Sequence, residues 1–361
     1  MRDPFFVMGA RGALATALEA ARVLPPPRAH VRLDWDRVEG MLLGLAIGDA
    51  LGNTTESMAP AARRAACGEV RDYRPNHHAA NQPVGLPSDD TQLAFWTLEH
   101  LLEVGHLDPE RLARLFASRP IFGLGGIVRA FLREMHGGAS WGEAGQPSAG
   151  NGAIMRIAPV VVAQLAAPSS ALWIDAAVAG AITHNDPTSI AACVALVGLL
   201  WELLALPEPP RPEWWLDTFI ERARPLEGDV ALEARPGARP YRGPAWRHVD
   251  TEVRRALAAG VPTVAACDSW YSGAFLLETI PSVLYIVARH GHDPEEALVR
   301  AVNDTCDNDT VAAIVGALVG ALHGAARLPR RWRAGLLGRT GADDDGRVFE
   351  LIDAARRFAP T

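Results

Sequence analysis

V-N-D-T-C-D-N-D-T-V-A-A-I-V-G-A-L-V-G-A-L-H-G, residues 302–324, is the stretch whose reading decides the fold. From Val311 onward it is a run of small apolar residues too long for an ordinary strand, and it reads as a buried helix. Ahead of that helix stand Asp304, Asp307, Asp309 and Thr310. Charge left unpaired out of water is costly, so carboxylates at the end of a buried helix need compensation. Helix capping is one source and a bound cation is the other.

Outward from this stretch, helical spacing continues in nearly every segment. Asp108-Pro109 and Asp186-Pro187 each place a capping side chain before a proline at the first helical position, and Pro212, Pro294 and Pro329 introduce further helices. No segment sustains period-two alternation, so the fold class is all-α, with strands few or absent. Glycines 44, 48 and 52 recur every four residues and give one helix a smooth face for close packing. Two regions break the helical pattern: residues 60–87 have turn and loop composition, and residues 225–246 read as a surface insertion. Helices of the same character flank both, so residues 37–361 form one domain. Residues 1–36 look separable, an extension or lid in which a short helix over 13–23 is followed by Pro25-Pro26-Pro27.

Composition excludes several classes. The 361 residues carry a formal net charge of -7, which gives no nucleic-acid footprint. Four widely separated cysteines, Cys67, Cys193, Cys267 and Cys306, suggest neither a zinc knuckle nor a disulfide framework and fit a reducing cytoplasm. No apolar run reaches the roughly 18 residues of a membrane span, and Asp3 and Arg11 interrupt the apolar Phe5-Phe6-Val7-Met8 start, so no signal peptide is read.

A second acidic cluster, Ser88-Asp89-Asp90-Thr91, precedes another helical run. A cap needs one such residue, and the surplus of carboxylates and hydroxyls in both clusters matches the hard oxygen ligands of Mg²⁺ or Mn²⁺, with room for two ions. In P-S-A-G-N-G-A-I-M-R, residues 147–156, Gly150 and Gly152 permit close approach of backbone to a ligand, and Arg156 adds a charge suited to phosphate. Gly123, Gly125 and Gly126 form a similar turn. Each turn also has a purely structural reading. Asp49 suits a buried network or catalysis, and Glu56 follows a small polar loop from which it could enter a pocket.

Taken together, G-L-A-I-G-D-A-L-G-N-T-T-E (44–56), S-D-D-T-Q-L-A (88–94), G-N-G-A-I-M-R-I-A-P-V (150–160), T-H-N-D-P (183–187), E-T-I-P-S-V-L (278–284) and D-N-D-T-V-A-A-I-V-G-A (307–317) resemble the ADP-ribosylglycohydrolase family, which includes the dinitrogenase reductase-activating glycohydrolases. The resemblance implies a compact, single-domain orthogonal helical bundle with a dinuclear Mg²⁺ or Mn²⁺ centre. Its metal ligands would be Ser88, Asp89, Asp90, Asp307, Asp309 and Thr310, and its catalytic residues Glu56, Asp89 and Asp309. Gly123, Gly125, Gly126, Gly150, Asn151, Gly152, Arg156 and His184 would contact the substrate. It further implies release of ADP-ribose from a modified protein side chain, such as arginine, or from a small molecule. A second implied role is immunity against an ADP-ribosylating toxin, partly through the N-terminal extension. Many members carry G-G-D-T-D-T where this chain has T-C-D-N-D-T, which singles out Thr305, Cys306 and Asn308 as departures beside the pocket.

Overall fold

The glycine-faced helix and the stretch at 302–324 prove to be partners. In the computed structural model, which describes residues 7–30 and 32–359, helices Trp35–Gly52 and Asn308–His323 run antiparallel through the centre of the molecule. Gly40 faces Gly320, Gly44 faces Gly316, and Gly48 faces Ala312, so closely that a methyl group at any of these glycines would collide with the opposing carbonyl. Only residues without a Cβ, or with a small one, allow two helix backbones to touch over this length. Leu42, Leu45, Ile47, Ile314, Val315 and Leu318, all buried, turn outward from the seam into the core. Helices Asp89–Val104, Pro187–Leu203, Leu276–His290 and Pro294–Asp304 pack around this pair. The antiparallel register brings the C-terminal end of Trp35–Gly52 to the start of Asn308–His323, with the Cβ position of Gly52 2.5 Å from Asp309 Cα.

The proline and capping signals hold. Asp108 accepts from Arg111 N–H ahead of helix Pro109–Ser118, and Asp186 accepts from the Thr188 and Ser189 N–H groups ahead of Pro187–Leu203. Among the described residues, β-structure is confined to a hairpin of Leu232–Glu233 with Arg242–Gly243, inside the expected insertion, and to isolated bridges. One segment differs from expectation. Pro60–Cys67, within the stretch read as loop, is a helix: Pro60 sits at its first turn, the alanines that follow favour helix, and Gly68 ends it at positive φ. No helix among the described residues is long and apolar enough to cross a membrane.

The N-terminal extension forms helix Gly12–Ala21, which buries Leu14, Ala17, Leu18 and Ala21 against the body. The proline spacer is fixed through indole donors, Trp173 Nε1 to Pro25 O and Trp201 Nε1 to Arg28 O, each at 2.9 Å. Phe5 and Phe6 lie outside the described residues.

Candidate active site

Three helix ends converge where the central pair begins. Asp307, at the N-cap position of Asn308–His323, and Asp309, in its first turn, face Asp89 and Asp90, in the first turn of Asp89–Val104. Glu56 reaches the same point from the loop after Trp35–Gly52. Carboxylate oxygens of Glu56, Asp307 and Asp309 lie within 4.8 Å of one another. The two expected acidic clusters therefore do meet.

Asp49 organises the arrangement without facing the cleft. It is fully buried, and its carboxylate accepts from Ser88 N (2.9 Å), Ser88 Oγ (2.7 Å), Thr91 N (3.1 Å), Thr91 Oγ1 (2.6 Å) and Asn53 Nδ2 (3.1 Å). It thus caps the helix that carries Asp89 and Asp90, from a distant point in the sequence. Of the two readings open for Asp49, the buried network is the one the structure contains. Ser88 itself makes no side-chain cap. Its hydroxyl donates to Asp49, which leaves lone pairs for another contact.

The other cluster is fixed from the opposite side. Asn151 donates to both Asp307 Oδ2 and Thr279 Oγ1, and Asp307 N donates to Ser272 O at 3.0 Å. Tyr271 and Ser272 hold left-handed backbone conformations, φ 71° and 49°, unusual for residues with a Cβ and therefore imposed by their surroundings. Thr310 completes this wall.

The cleft between these walls measures 160 Å³, and Gly123, Gly125, Gly126, Gly150, Gly152 and His184 are among the residues that line it. Gly123 has φ +60°, and a Cβ there would approach Asp89 Oδ1 to 2.8 Å; at Gly125 and Gly126 a Cβ would meet open space. The imidazole of His184 lies against the other turn, 3.3 Å from a Cβ position on Gly150 and 3.0 Å from one on Gly152. Burial, with Arg156 nearby, pushes His184 down to about 3, so the ring is neutral near pH 7. A second cavity, of 540 Å³, adjoins across Glu56 and Gly123 and is lined by Asn53, Asn76, His77, His78, Phe122 and Arg339 among others.

One expected substrate contact is not in the cleft. The Arg156 guanidinium is wholly buried, donating to Ala179 O (3.0 Å) and Thr183 Oγ1 (2.8 Å) and lying 4.9 Å from the Phe116 ring. Residues Ile154–Arg156 form a 3-10 turn that directs the side chain inward, where an α-helix was expected to present it to phosphate. Its link to the site is indirect, through Thr183 Oγ1, which also bonds His184 Nδ1 at 2.9 Å.

Electrostatics explain what such a cluster needs. Burial first, and repulsion from the other carboxylates second, push Asp89, Asp90 and Asp309 well above the ordinary carboxylate range. Glu56 is raised by burial, Asp307 and Asp49. Asp90 Oδ1 is buried with no hydrogen-bond partner. Several carboxylates crowded together with an orphaned oxygen suit divalent cations that take hard oxygen ligands. The residues present therefore fit a metal centre.

Comparison with known proteins agrees with this geometry. The ADP-ribosylglycohydrolase family matches residues 29–358. The chain belongs to that family. Among its relatives, the ADP-ribosyl-[dinitrogen reductase] glycohydrolase of Rhodospirillum rubrum is 28% identical, over 83% of this chain and 90% of its own length. ADP-ribosylarginine hydrolase Tri1 of Pseudomonas putida is also 28% identical, over 82% of this chain and 73% of its own. A solved structure described as an ADP-ribosylglycohydrolase-related protein complex superposes with a TM-score of 0.67 at 29% identity, covering 90% of this chain and 98% of that one. Membership makes the chain a hydrolase of glycosyl bonds that acts on ADP-ribosylated substrates. The family match begins after helix Gly12–Ala21.

Sequence reasoning missed one residue beside the site and left a second without a role. Arg63 lay in a segment read as loop, and Asn308 was noted as a departure whose side chain had no assigned partner. Nothing in spacing or composition marks Arg63, whereas the departure from the family motif marked Asn308.

Proposed function

We propose that the protein is a metal-dependent ADP-ribosyl hydrolase that uses two Mg²⁺ or Mn²⁺ ions to cleave the bond between ADP-ribose and its acceptor, an arginine-like protein side chain or a small molecule. The observation that carries this reading is the meeting of Glu56, Asp307 and Asp309 within 4.8 Å, beside the orphaned Asp90 Oδ1. Asp89, Asp90, Asp307, Asp309, Thr310 and the free lone pairs of Ser88 would hold the ions. Bound there, divalent cations supply charge neutralisation and Lewis acidity for the ribose diol and a water.

The chain's own residues account for the rest of the chemistry. Breaking the anomeric bond develops positive charge on the sugar, which the anionic cluster favours. Water's oxygen bonds to the anomeric carbon, its proton passes to a base, and the departing nitrogen or oxygen takes a proton. Glu56 stands at the cluster, where burial, Asp307 and Asp49 raise its proton affinity, and it is the group placed to take and return the proton. The turns at Gly123–Gly126 and at Gly150–Gly152 would receive the diphosphate on backbone that no side chain screens. Neutral His184 supports the second turn and serves as hydrogen-bonding partner, not as a cation. The 540 Å³ cavity across Glu56 gives the acceptor a place to lie.

Residues 7–30 dock on the body and line neither cavity, so they form no lid over the cleft. The test is product analysis on ADP-ribosylated arginine, serine and small-molecule substrates. Free ADP-ribose is the expected product; inorganic phosphate would point to a phosphohydrolase instead.

A further inference from the structure

Of the three departures in T-C-D-N-D-T, Asn308 sends its side chain to the loop that bears Glu56, whereas Thr305 and Cys306 take part through their backbone carbonyls and the Thr305 hydroxyl bonds back to Ala301 O at 2.7 Å. Asn308 is fully buried, and its Nδ2 donates to Thr55 Oγ1 (2.9 Å), Gly52 O (3.1 Å) and Val302 O (3.1 Å). Arg63, also fully buried, donates from Nε to Thr55 Oγ1 (3.1 Å) and from Nη2 to Thr55 O (3.2 Å) and Met58 O (2.8 Å). From Nη1 the same guanidinium reaches Thr305 O (2.8 Å) and Asn303 O (3.3 Å). Ser57 N, at the loop's left-handed residue (φ 64°), donates to Cys306 O at 3.2 Å. The loop is therefore tied on both sides of Glu56 to the segment that leads into Asp307.

We propose that Arg63 and Asn308 are positioning residues that lock the Glu56 loop to the Asp307–Thr310 turn, so that Glu56 and its two aspartate neighbours move as one rigid unit. A guanidinium with five backbone and hydroxyl acceptors in a dry site is expensive to leave unsatisfied, which makes release of the loop costly. Glu56 keeps its reach to the cluster because its own side chain is outside this bonding. The proposal rests on the reading of Glu56 as the proton carrier, and its test separates the two.

In the full-length, Mn²⁺-loaded protein, Asn308→Ala removes the three bonds of the amide, and Arg63→Lys keeps the charge but loses the fork. Each is expected to lower kcat for ADP-ribosyl-arginine about 10- to 100-fold with KM unchanged, the scale of a small misplacement of a catalytic group. Added to Glu56→Gln, either change should cost little more, because both act through the same carboxylate. Hydrogen exchange of the Ser57 and Met58 amides should quicken in both variants. Wild-type kcat in both variants, losses that multiply with Glu56→Gln, or unchanged exchange at these amides would overturn the proposal. Should Glu56→Gln alone retain full activity, the proton-carrier reading fails, and amide exchange still decides whether the loop is locked.

Discussion

At the scale of single residues, the site is a set of carboxylates that the apo protein holds at a cost. Asp307→Ala or Asp309→Ala should abolish release of ADP-ribose, yet removing one of several mutually repelling buried carboxylates should leave the melting temperature of the metal-free protein unchanged or higher. A melt that drops sharply for either variant would show that the aspartates serve the fold instead. Titration gives a second prediction. Because burial and repulsion raise Asp89, Asp90 and Asp309, cation binding must displace protons, so affinity for Mn²⁺, measured calorimetrically, should rise with pH above the ordinary carboxylate range. These acids were legible in the sequence because a surplus over capping needs is itself a signal. Arg156 was misread, since G-N-G followed by arginine is the same string whether the arginine faces phosphate or the Phe116 ring.

At the scale of elements, the seam between Trp35–Gly52 and Asn308–His323 both packs the core and sets the place of the acidic cluster at its end. Gly44→Ala or Gly316→Ala places a methyl into the facing carbonyl and should destabilise the protein by about 3 kcal/mol, measured by denaturant unfolding, the upper range of overpacking. Gly126→Ala makes a contrast. A Cβ there meets nothing within 4 Å, so stability should hold while ADP-ribose binding weakens as the cleft is narrowed; unchanged binding would remove this turn from the ligand site. The four-residue glycine spacing made the seam readable, because it has one physical use, but its partner could not be named from local sequence. Pro60–Cys67 was missed for the converse reason. It is too short for a periodic signal, and tertiary contacts made by Arg63 hold it in place.

At the scale of the whole molecule, buried ionisable groups away from the site set the pH range of stability. Burial raises Asp175 to about 7, so its stabilising protonated form is fully present below the unfolded value and is lost as pH rises through about 7. Asp175→Asn should therefore raise the melting temperature at pH 8 and leave it unchanged at pH 3; an equal shift at both would contradict the assignment. His248 and His290, each lowered to about 4 by burial, act in the opposite sense, with stability present above the ordinary histidine value and lost as pH falls through about 4. The all-α class was legible from periodicity alone, while the fixing of the segment after the N-terminal helix by Trp173 and Trp201 depends on contacts that no motif announces. The central claim, that a carboxylate-held metal centre cleaves ADP-ribose from its acceptor, is tested most directly by following ADP-ribose release from ADP-ribosyl-arginine during EDTA treatment and Mn²⁺ add-back, in the wild type and in Asp309→Ala. The account predicts release that EDTA stops and Mn²⁺ restores in the wild type, and none in the variant under either condition. Release that persists in EDTA, or in Asp309→Ala, would contradict it.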